Sequence, residues 1–143
     1  MHSVSISIDV PDLATGVRFY TSAFGFSKSA EPVPGVAVLR AGQTDICLLE
    51  KRAGSRASTR TDQTRHYDRH WTPVHLDFAV PNLEQAVGVA LAAGATQDAA
   101  PATHRWGKIA HMADPLGHGF CLIEFTGRGY DEVATQTGPL LSD

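Results

Sequence analysis

Residues 3–13 read SVSISIDVPDL and residues 74–83 read VHLDFAVPNL, and these two stretches decide the fold. In each of them apolar and polar residues alternate with period two, which is typical of a β-strand that buries one face. Each then reaches a proline followed by Asp12 or Asn82, whose side chains accept hydrogen bonds from the free amides at a helix start. Because the second stretch repeats the first about 70 positions later, the sequence predicts a duplicated strand–helix unit.

The remaining sequence continues this repeat. After each predicted helix come two or three strand candidates and a matched closing strand, ICLLE at 46–50 and FCLIE at 120–124. We therefore predict one α+β domain of two tandem βαβββ modules. Its predicted parts are module one at residues 3–50, a mobile arginine-rich linker at 51–73, module two at 74–126 and a polar tail at 127–143.

Composition excludes several classes of protein. The 143 residues are 43% hydrophobic, which is enough for one globular domain with its own core. The net charge of −3 provides no field for phosphate backbones, so nucleic acid is not an expected partner. No apolar run approaches the ~20 residues of a membrane span, and no signal-like segment opens the chain, so we expect a cytoplasmic protein without a membrane partner. Cys47 and Cys121 are too few for a disulfide framework and are expected to be free thiols.

Short motifs add a resemblance to a known superfamily. Together with the duplicated βαβββ pattern, they make residues 3 to 126 resemble the vicinal oxygen chelate superfamily, which contains glyoxalase I, bleomycin-resistance proteins and extradiol dioxygenases. The resemblance implies curved mixed sheets around a cup, a small-molecule ligand or substrate in that cup, and a homodimer whose cups use modules from one or two chains. The motifs are VPDL at 10–13, VPNL at 80–83, RFY at 18–20, FGF at 24–26 and DPLGH at 114–118.

The resemblance also implies where a metal would bind. Metal-dependent members take one ligand from the first and one from the last strand of each module, commonly His and Glu. The corresponding residues here are Ser5, Cys47, His75 and Cys121, and only His75 is a family-type ligand. Hard ions such as Mg²⁺ prefer carboxylate and imidazole to thiolate, so we expect neither the usual metal site nor another cofactor. A zinc site built from His75 and the two thiols is the alternative to two buried thiols that only pack.

Strand parity identifies the candidate catalytic residues. His75 and Asp77 share the strand face opposite Leu76 and Phe78, which are expected to meet the second helix. His75, with Asp77 nearby, is a candidate general base or hydrogen-bond donor. The alternative is a histidine that is satisfied by hydrogen bonds and has no catalytic role.

Ligand contacts are predicted from residues of several types. Trp71 and Trp106 offer flat rings for a planar ligand, or pack at a module or dimer interface. The basic side chains of the linker either clamp an anion or are simply solvated. They are Arg56, Arg60, Arg65, Arg69, His66 and His70. Glu50 and Glu124 are expected to face away from the cysteines, unless a bulge reverses their strands.

These observations predict a protein that binds a small organic molecule in its cup. The predicted cup residues are Ser5, Cys47, Trp71, His75, Asp77, Trp106 and Cys121. Whether it also catalyses a reaction stays open. The alternatives are a metal-dependent lyase, isomerase or dioxygenase with an atypical ligand set, and a protein-interaction module whose cup is filled by side chains.

Overall fold

The chain folds as two similar units, each made of one helix and one mixed sheet, in a computed structural model that describes residues 2–131. The predicted α+β class and the two βαβββ modules are confirmed. The predicted polar tail lies outside the described residues from position 132 onward. The first unit contains β1 (Ser5–Val10), α1 (Leu13–Phe24), β2 (Ser27–Ala30), β3 (Val36–Ala41) and β4 (Thr44–Glu50), and the second contains β5 (Leu76–Ala79), α2 (Leu83–Ala92), β6 (Thr96–Gln97), β7 (Ala102–His104), β8 (Gly107–Ala113) and β9 (Gly119–Phe125).

The two sheets have matching topology. The first has the order β1-β4-β3-β2, and the second runs β5-β9-β8, with both β6 and β7 paired to β8. In each sheet the opening strand pairs in parallel with the closing strand, and the other pairs are antiparallel. A parallel pair needs a crossover connection, which the helix of each unit contributes. The repeat in the sequence is therefore a repeat in the structure.

Each helix begins on two hydrogen-bond acceptors that the duplication preserves. Asp12 accepts a hydrogen bond from the Thr15 amide at 2.7 Å, and Asn82 does the same for the corresponding amide of α2. The second acceptor is the glutamate near the end of the closing strand. Glu50 accepts a hydrogen bond from the Leu13 amide at 2.8 Å, and Glu124 accepts one from the Leu83 amide at 2.7 Å. Carboxylates stabilise helix N-termini because the first-turn amides lack partners within the helix.

These two glutamates also test a prediction. Their side chains reach the helices, on the same face as the buried residues Leu48 and Leu122. The registers of β4 and β9 run without a shift, so no bulge turns the glutamates toward the cysteines. The predicted facing is confirmed, and neither glutamate is available on the opposite sheet face.

The core joins the two units through aromatic side chains. Phe24 of α1 lies 4.2 Å from Phe78 of β5, between ring centroids, and 5.7 Å from Phe120 of β9. Phe19, which is 1% exposed, also contacts Phe120. Because apolar burial is the main favourable term in folding, this shared cluster holds the two units together.

A buried carboxylate adds a polar link between the units. Asp114, 3% exposed, follows β8 and receives the Tyr20 hydroxyl of α1 at 2.7 Å. Its other oxygen accepts hydrogen bonds from the backbone amides of Leu116 and His118. Burial, together with the neighbouring Asp114 charge, raises the pKa of Tyr20 well above its ordinary value, which keeps the hydroxyl protonated as a donor.

The linker packs against both units, and the mobility that the sequence predicts for it stays a prediction. Arg65 forms an ion pair with Asp9 of β1 at 2.6 Å. The backbone at Tyr67 passes so close to Gly117 that a Cβ there would overlap with the Tyr67 carbonyl oxygen. Its polar composition resembles that of a loose loop, but these polar groups have partners on the two sheets. In the described range, neither helix has the length or apolar content needed to cross a bilayer.

We expect the Tyr20→Phe substitution to lower the free energy of unfolding by about 1.5–3 kcal/mol, because it removes a hydrogen bond to a buried charged group. Urea denaturation at pH 7 measures this loss. Tyr130→Phe, which changes an exposed tyrosine, is the matched control and should stay near the wild-type value. Equal stability of Tyr20→Phe and wild type would contradict the proposed importance of this link.

Candidate functional site

One face of the second sheet carries a group of polar and aromatic residues. Period-two alternation places Phe78 and Leu122 in the core and their neighbours on the opposite face. The strand register aligns Asp77 with Cys121, and Cys121 with His111. We call this group the His75 cluster, and its members are Trp71, His75, Asp77, His111 and Cys121.

His75 and Asp77 are in direct contact. His75 lies one residue before β5, and its Nε2 is 3.2 Å from Oδ1 of Asp77. The two side chains are 31% and 43% exposed, so both remain accessible to a solute. A carboxylate beside an imidazole fixes its orientation and tautomer. The pair can therefore present a defined hydrogen-bond donor or acceptor to a bound molecule.

Cys121 lies beneath this pair and is 1% exposed. Burial, with the Asp77 carboxylate beside it, raises the pKa of the Cys121 thiol to about 12. A thiol is nucleophilic only as the thiolate, so at neutral pH this group behaves as a small apolar side chain. Its potential donor atom nevertheless lies within 4.8 Å of those of His75 and Asp77.

The indole of Trp71 forms the aromatic wall of the cluster. Its centroid is 4.5 Å from that of His75 and 5.8 Å from that of His111. The ring lies directly on the backbone of Gly119, where a Cβ would overlap with it. Trp71 is still 43% exposed. Glycine at position 119 thus makes room for a ring that stays partly exposed to solvent.

A charged pair borders this aromatic wall. The guanidinium of Arg69 lies 5.7 Å from the Trp71 ring centroid and forms an ion pair with Asp98 at 2.6 Å. Of the predicted arginine clamp, Arg69 is the member that reaches the His75 cluster. Arg65 is paired with Asp9, and Arg56 binds within the linker. Both uses are structural.

The other predicted cup residues lie elsewhere. Ser5 and Cys47 are on the first sheet, on the face away from α1. In residues 2–131 no hydrogen bond or ion pair connects them to the His75 cluster. Trp106 stacks on His104 and contacts Tyr130 near the far end of β8. The structure therefore brings together four of the seven predicted residues: Trp71, His75, Asp77 and Cys121.

Two members of the site were not assigned from the sequence. His111 could have been found by parity, because it alternates with the buried Met112 on β8. Asp98 carried no comparable signal, since its contact with Arg69 depends on how the linker passes over the second sheet. Local periodicity finds residues on a shared strand face but not partners from a crossing segment.

Comparisons with known proteins agree with this fold. Residues 5–123 match the family model described as a glyoxalase-like domain. The structure is similar to that of a hypothetical protein from S. aureus, at 23% identity and a TM-score of 0.68, covering 87% of this chain and 94% of that one. A comparison with curated protein sequences gives no significant match.

Two further structures are similar. One is a glyoxalase/bleomycin resistance protein/dioxygenase family enzyme from Burkholderia phytofirmans, at 21% identity and a TM-score of 0.64, covering 85% of this chain and 97% of that one. The other is the fosfomycin resistance protein FosX from Listeria monocytogenes, at 17% identity and a TM-score of 0.67, covering 88% and 94%. At these identities the likeness concerns the fold.

The two thiols should differ in reactivity. We expect iodoacetamide at pH 8 to modify Cys47, which is partly exposed, and to spare Cys121, whose raised pKa and burial withhold the thiolate. Mass spectrometry of peptides locates the label. In Cys47→Ser the folded protein should stay unlabelled and should react fully in denaturant. Rapid labelling of that folded variant would show that the site is more open than described.

Proposed function

This chain belongs to the family of glyoxalase-like domains, within the vicinal oxygen chelate superfamily, and we propose that it binds a small organic molecule on the face of the His75 cluster. The observation that carries the proposal is the Trp71 ring, seated on Gly119 and flanked by two imidazoles. Binding sites combine apolar or aromatic walls with a few fixed polar groups. The cluster has both.

The geometry favours a planar ligand with a polar or anionic substituent. A flat ring stacks well on an exposed indole face because aromatic pairs gain both dispersion and quadrupole energy. His75 and His111 lie beside the indole, with their ring centroids 4.5 Å and 5.8 Å from the Trp71 centroid, and can hydrogen-bond the substituent. Arg69 lies close enough to Trp71 for its guanidinium to exchange its bond to Asp98 for one to a ligand carboxylate or phosphate.

The first sheet is proposed to complete the cup. Ser5 and Cys47 occupy the corresponding face of the first unit, where Ser7 pairs with Cys47 across the sheet. A homodimer would allow this polar face of one chain to approach the His75 cluster of another. Trp106, with Tyr130, is proposed to act at the rim or at that interface. The proposed location is the cytoplasm.

The His and Glu ligands of metal-dependent relatives do not fit this chain. Ser5, Cys47 and Cys121 stand at three of the four positions, and Glu50 and Glu124 bind the helix amides. A hard divalent ion would find one imidazole and neither carboxylate there. We therefore propose a ligand-binding or metal-free role, in which His75 donates or accepts a proton.

A second candidate is a metal-dependent enzyme with a softer ligand set. It is favoured by one observation: His75, Asp77 and Cys121 place three donor atoms within 4.8 Å of one another. Nitrogen, oxygen and sulfur donors together suit zinc, and a three-residue set leaves a fourth position open. Asp77 takes the place that the sequence analysis gave to Cys47.

A screen of planar aromatic carboxylates by ligand-observed NMR tests the first proposal. We expect Trp71→Ala to weaken binding of a hit by about tenfold, because stacking contributes about 0.5–1.5 kcal/mol beyond buried area. Gly119→Ala should act in the same direction, since its Cβ displaces the indole. Leu91→Ala, which truncates an apolar side chain of α2 with the same 43% exposure as Trp71, is the matched control and should retain affinity. Wild-type affinity in Trp71→Ala would contradict the assigned platform.

Binding and catalysis are separated by His75→Ala. A binding protein should lose affinity modestly. An enzyme that uses His75 as a general base should lose turnover by about 10²- to 10⁴-fold with a smaller change in affinity.

Elemental analysis tests the second candidate. Protein purified without chelator should contain zinc or another divalent ion, and Cys121→Ser and His75→Gln should lose it, if this set binds metal. The matched control is Cys47→Ser, which should retain the ion. Metal content that does not change in Cys121→Ser and His75→Gln would eliminate the candidate.

A further inference from the structure

Two histidines outside the His75 cluster face each other where the linker contacts the second unit. His70 belongs to the linker, and His118 ends the turn before β9. Their backbones are joined by a hydrogen bond from the His70 amide to the Gly117 carbonyl at 3.0 Å. Nε2 of His70 lies 3.3 Å from Nδ1 of His118, and the rings are nearly perpendicular, at 87°.

The outer nitrogen of each ring meets a backbone carbonyl. Nε2 of His118 lies 2.7 Å from the Asp9 carbonyl oxygen, and Nδ1 of His70 lies 2.8 Å from the Asp68 carbonyl oxygen. A carbonyl oxygen only accepts hydrogen bonds, so both outer nitrogens must carry hydrogen. For neutral rings, these contacts assign the proton of His118 to Nε2 and the proton of His70 to Nδ1.

The consequence concerns the two inner nitrogens. A neutral imidazole has one protonated nitrogen, and in both rings that is the outer one. The inner nitrogens of His70 and His118 therefore point lone pairs at each other. Such a contact is unfavourable unless the two nitrogens share a proton or a metal ion lies between the two rings.

We propose that His70 and His118 bind a zinc ion between these inner nitrogens. With Zn–N bonds of about 2.0–2.1 Å and a tetrahedral angle, the two nitrogens would be about 3.3–3.4 Å apart, which matches the 3.3 Å observed. A direct N–H···N hydrogen bond across the same distance would require one of the two rings to carry a proton on both nitrogens. Histidine ligands of zinc commonly donate their other N–H to a backbone carbonyl, as both do here.

The remaining coordination positions would be filled by water. In the part of the chain that the structure describes, no third imidazole, thiol or carboxylate joins the pair. The ring of His66 is nearest, with its centroid 5.4 Å from that of His70. The Asp9 carboxylate is paired with Arg65. Two imidazoles and open positions are a set that suits zinc and its neighbours cobalt, nickel and copper.

The proposed ion would lie where the linker contacts both units. Trp71 follows His70 in the chain and Gly119 follows His118, and these two residues form the ring seat of the His75 cluster. The hydrogen bond from His118 to the Asp9 carbonyl reaches β1 of the first unit. Zinc would therefore tie the linker to both units at the point where Trp71 is placed. The inference does not depend on which molecule the His75 cluster binds.

Isothermal titration calorimetry with Zn²⁺ alone, after removal of bound metal, tests the proposal. We expect one equivalent to bind the wild-type protein, and His70→Gln and His118→Gln to weaken binding by at least about tenfold. His104→Gln, which changes an exposed histidine, and His75→Gln, which changes the other candidate metal set, are matched controls and should retain the binding.

Imidazole ¹⁵N spectra give a second measurement on the wild-type protein, so a variant that fails to fold does not decide the matter. Zinc should shift Nε2 of His70 and Nδ1 of His118 while their outer nitrogens stay protonated. Zinc bound by His75→Gln and lost by His70→Gln supports the site. A shared proton between the rings with no zinc binding, or zinc lost only in His75→Gln, would overturn it.

Discussion

The buried carboxylate of Asp114 is the interaction on which the rest of the structure depends. It binds the Tyr20 hydroxyl of the first unit and two amides of its own turn, so it joins the units and shapes residues 114–118 together. Leaving such a charge without donors would be costly, and all three donors are supplied. The turn then positions three consecutive residues that contact the linker. Gly117 contacts Tyr67, His118 contacts His70, and Gly119 contacts Trp71.

The two units share the features that build the fold, and they differ in the side chains on their exposed sheet faces. Both units keep a strand-to-helix joint with an Asp or Asn cap and a glutamate on the first helix amide. These features serve folding, so they are the same in both halves. The exposed sheet faces differ: the second carries His75, Asp77 and His111, whereas the first carries serines, Cys47 and two ion-paired carboxylates, Asp9 and Asp45. The imidazoles are therefore concentrated on one unit.

Period-two alternation and the repeat were enough to predict the fold and the facing of Glu50 and Glu124, because both follow from local geometry. The same reasoning predicted that His75 and Asp77 share a face, and their contact at 3.2 Å agrees with it. The placement of Ser5, Cys47 and Trp106 relative to His75 depends on how two sheets are arranged in space, which no local pattern encodes. The linker contacts were missed for a similar reason: polar residues predict exposure, but here they meet carbonyls and carboxylates.

The contacts between the linker and residues 117–119 constrain the order of folding. Residues 67–71 dock on Gly117, His118 and Gly119, which are in place only after β8 and β9 have paired around the Asp114 turn. That antiparallel pair is close in sequence and can form early, because short loops cost little closure entropy. The linker precedes this pair in the chain, but the residues on which it docks follow it. During synthesis from the N-terminus, the linker therefore has no docking surface until residues 117–119 have emerged.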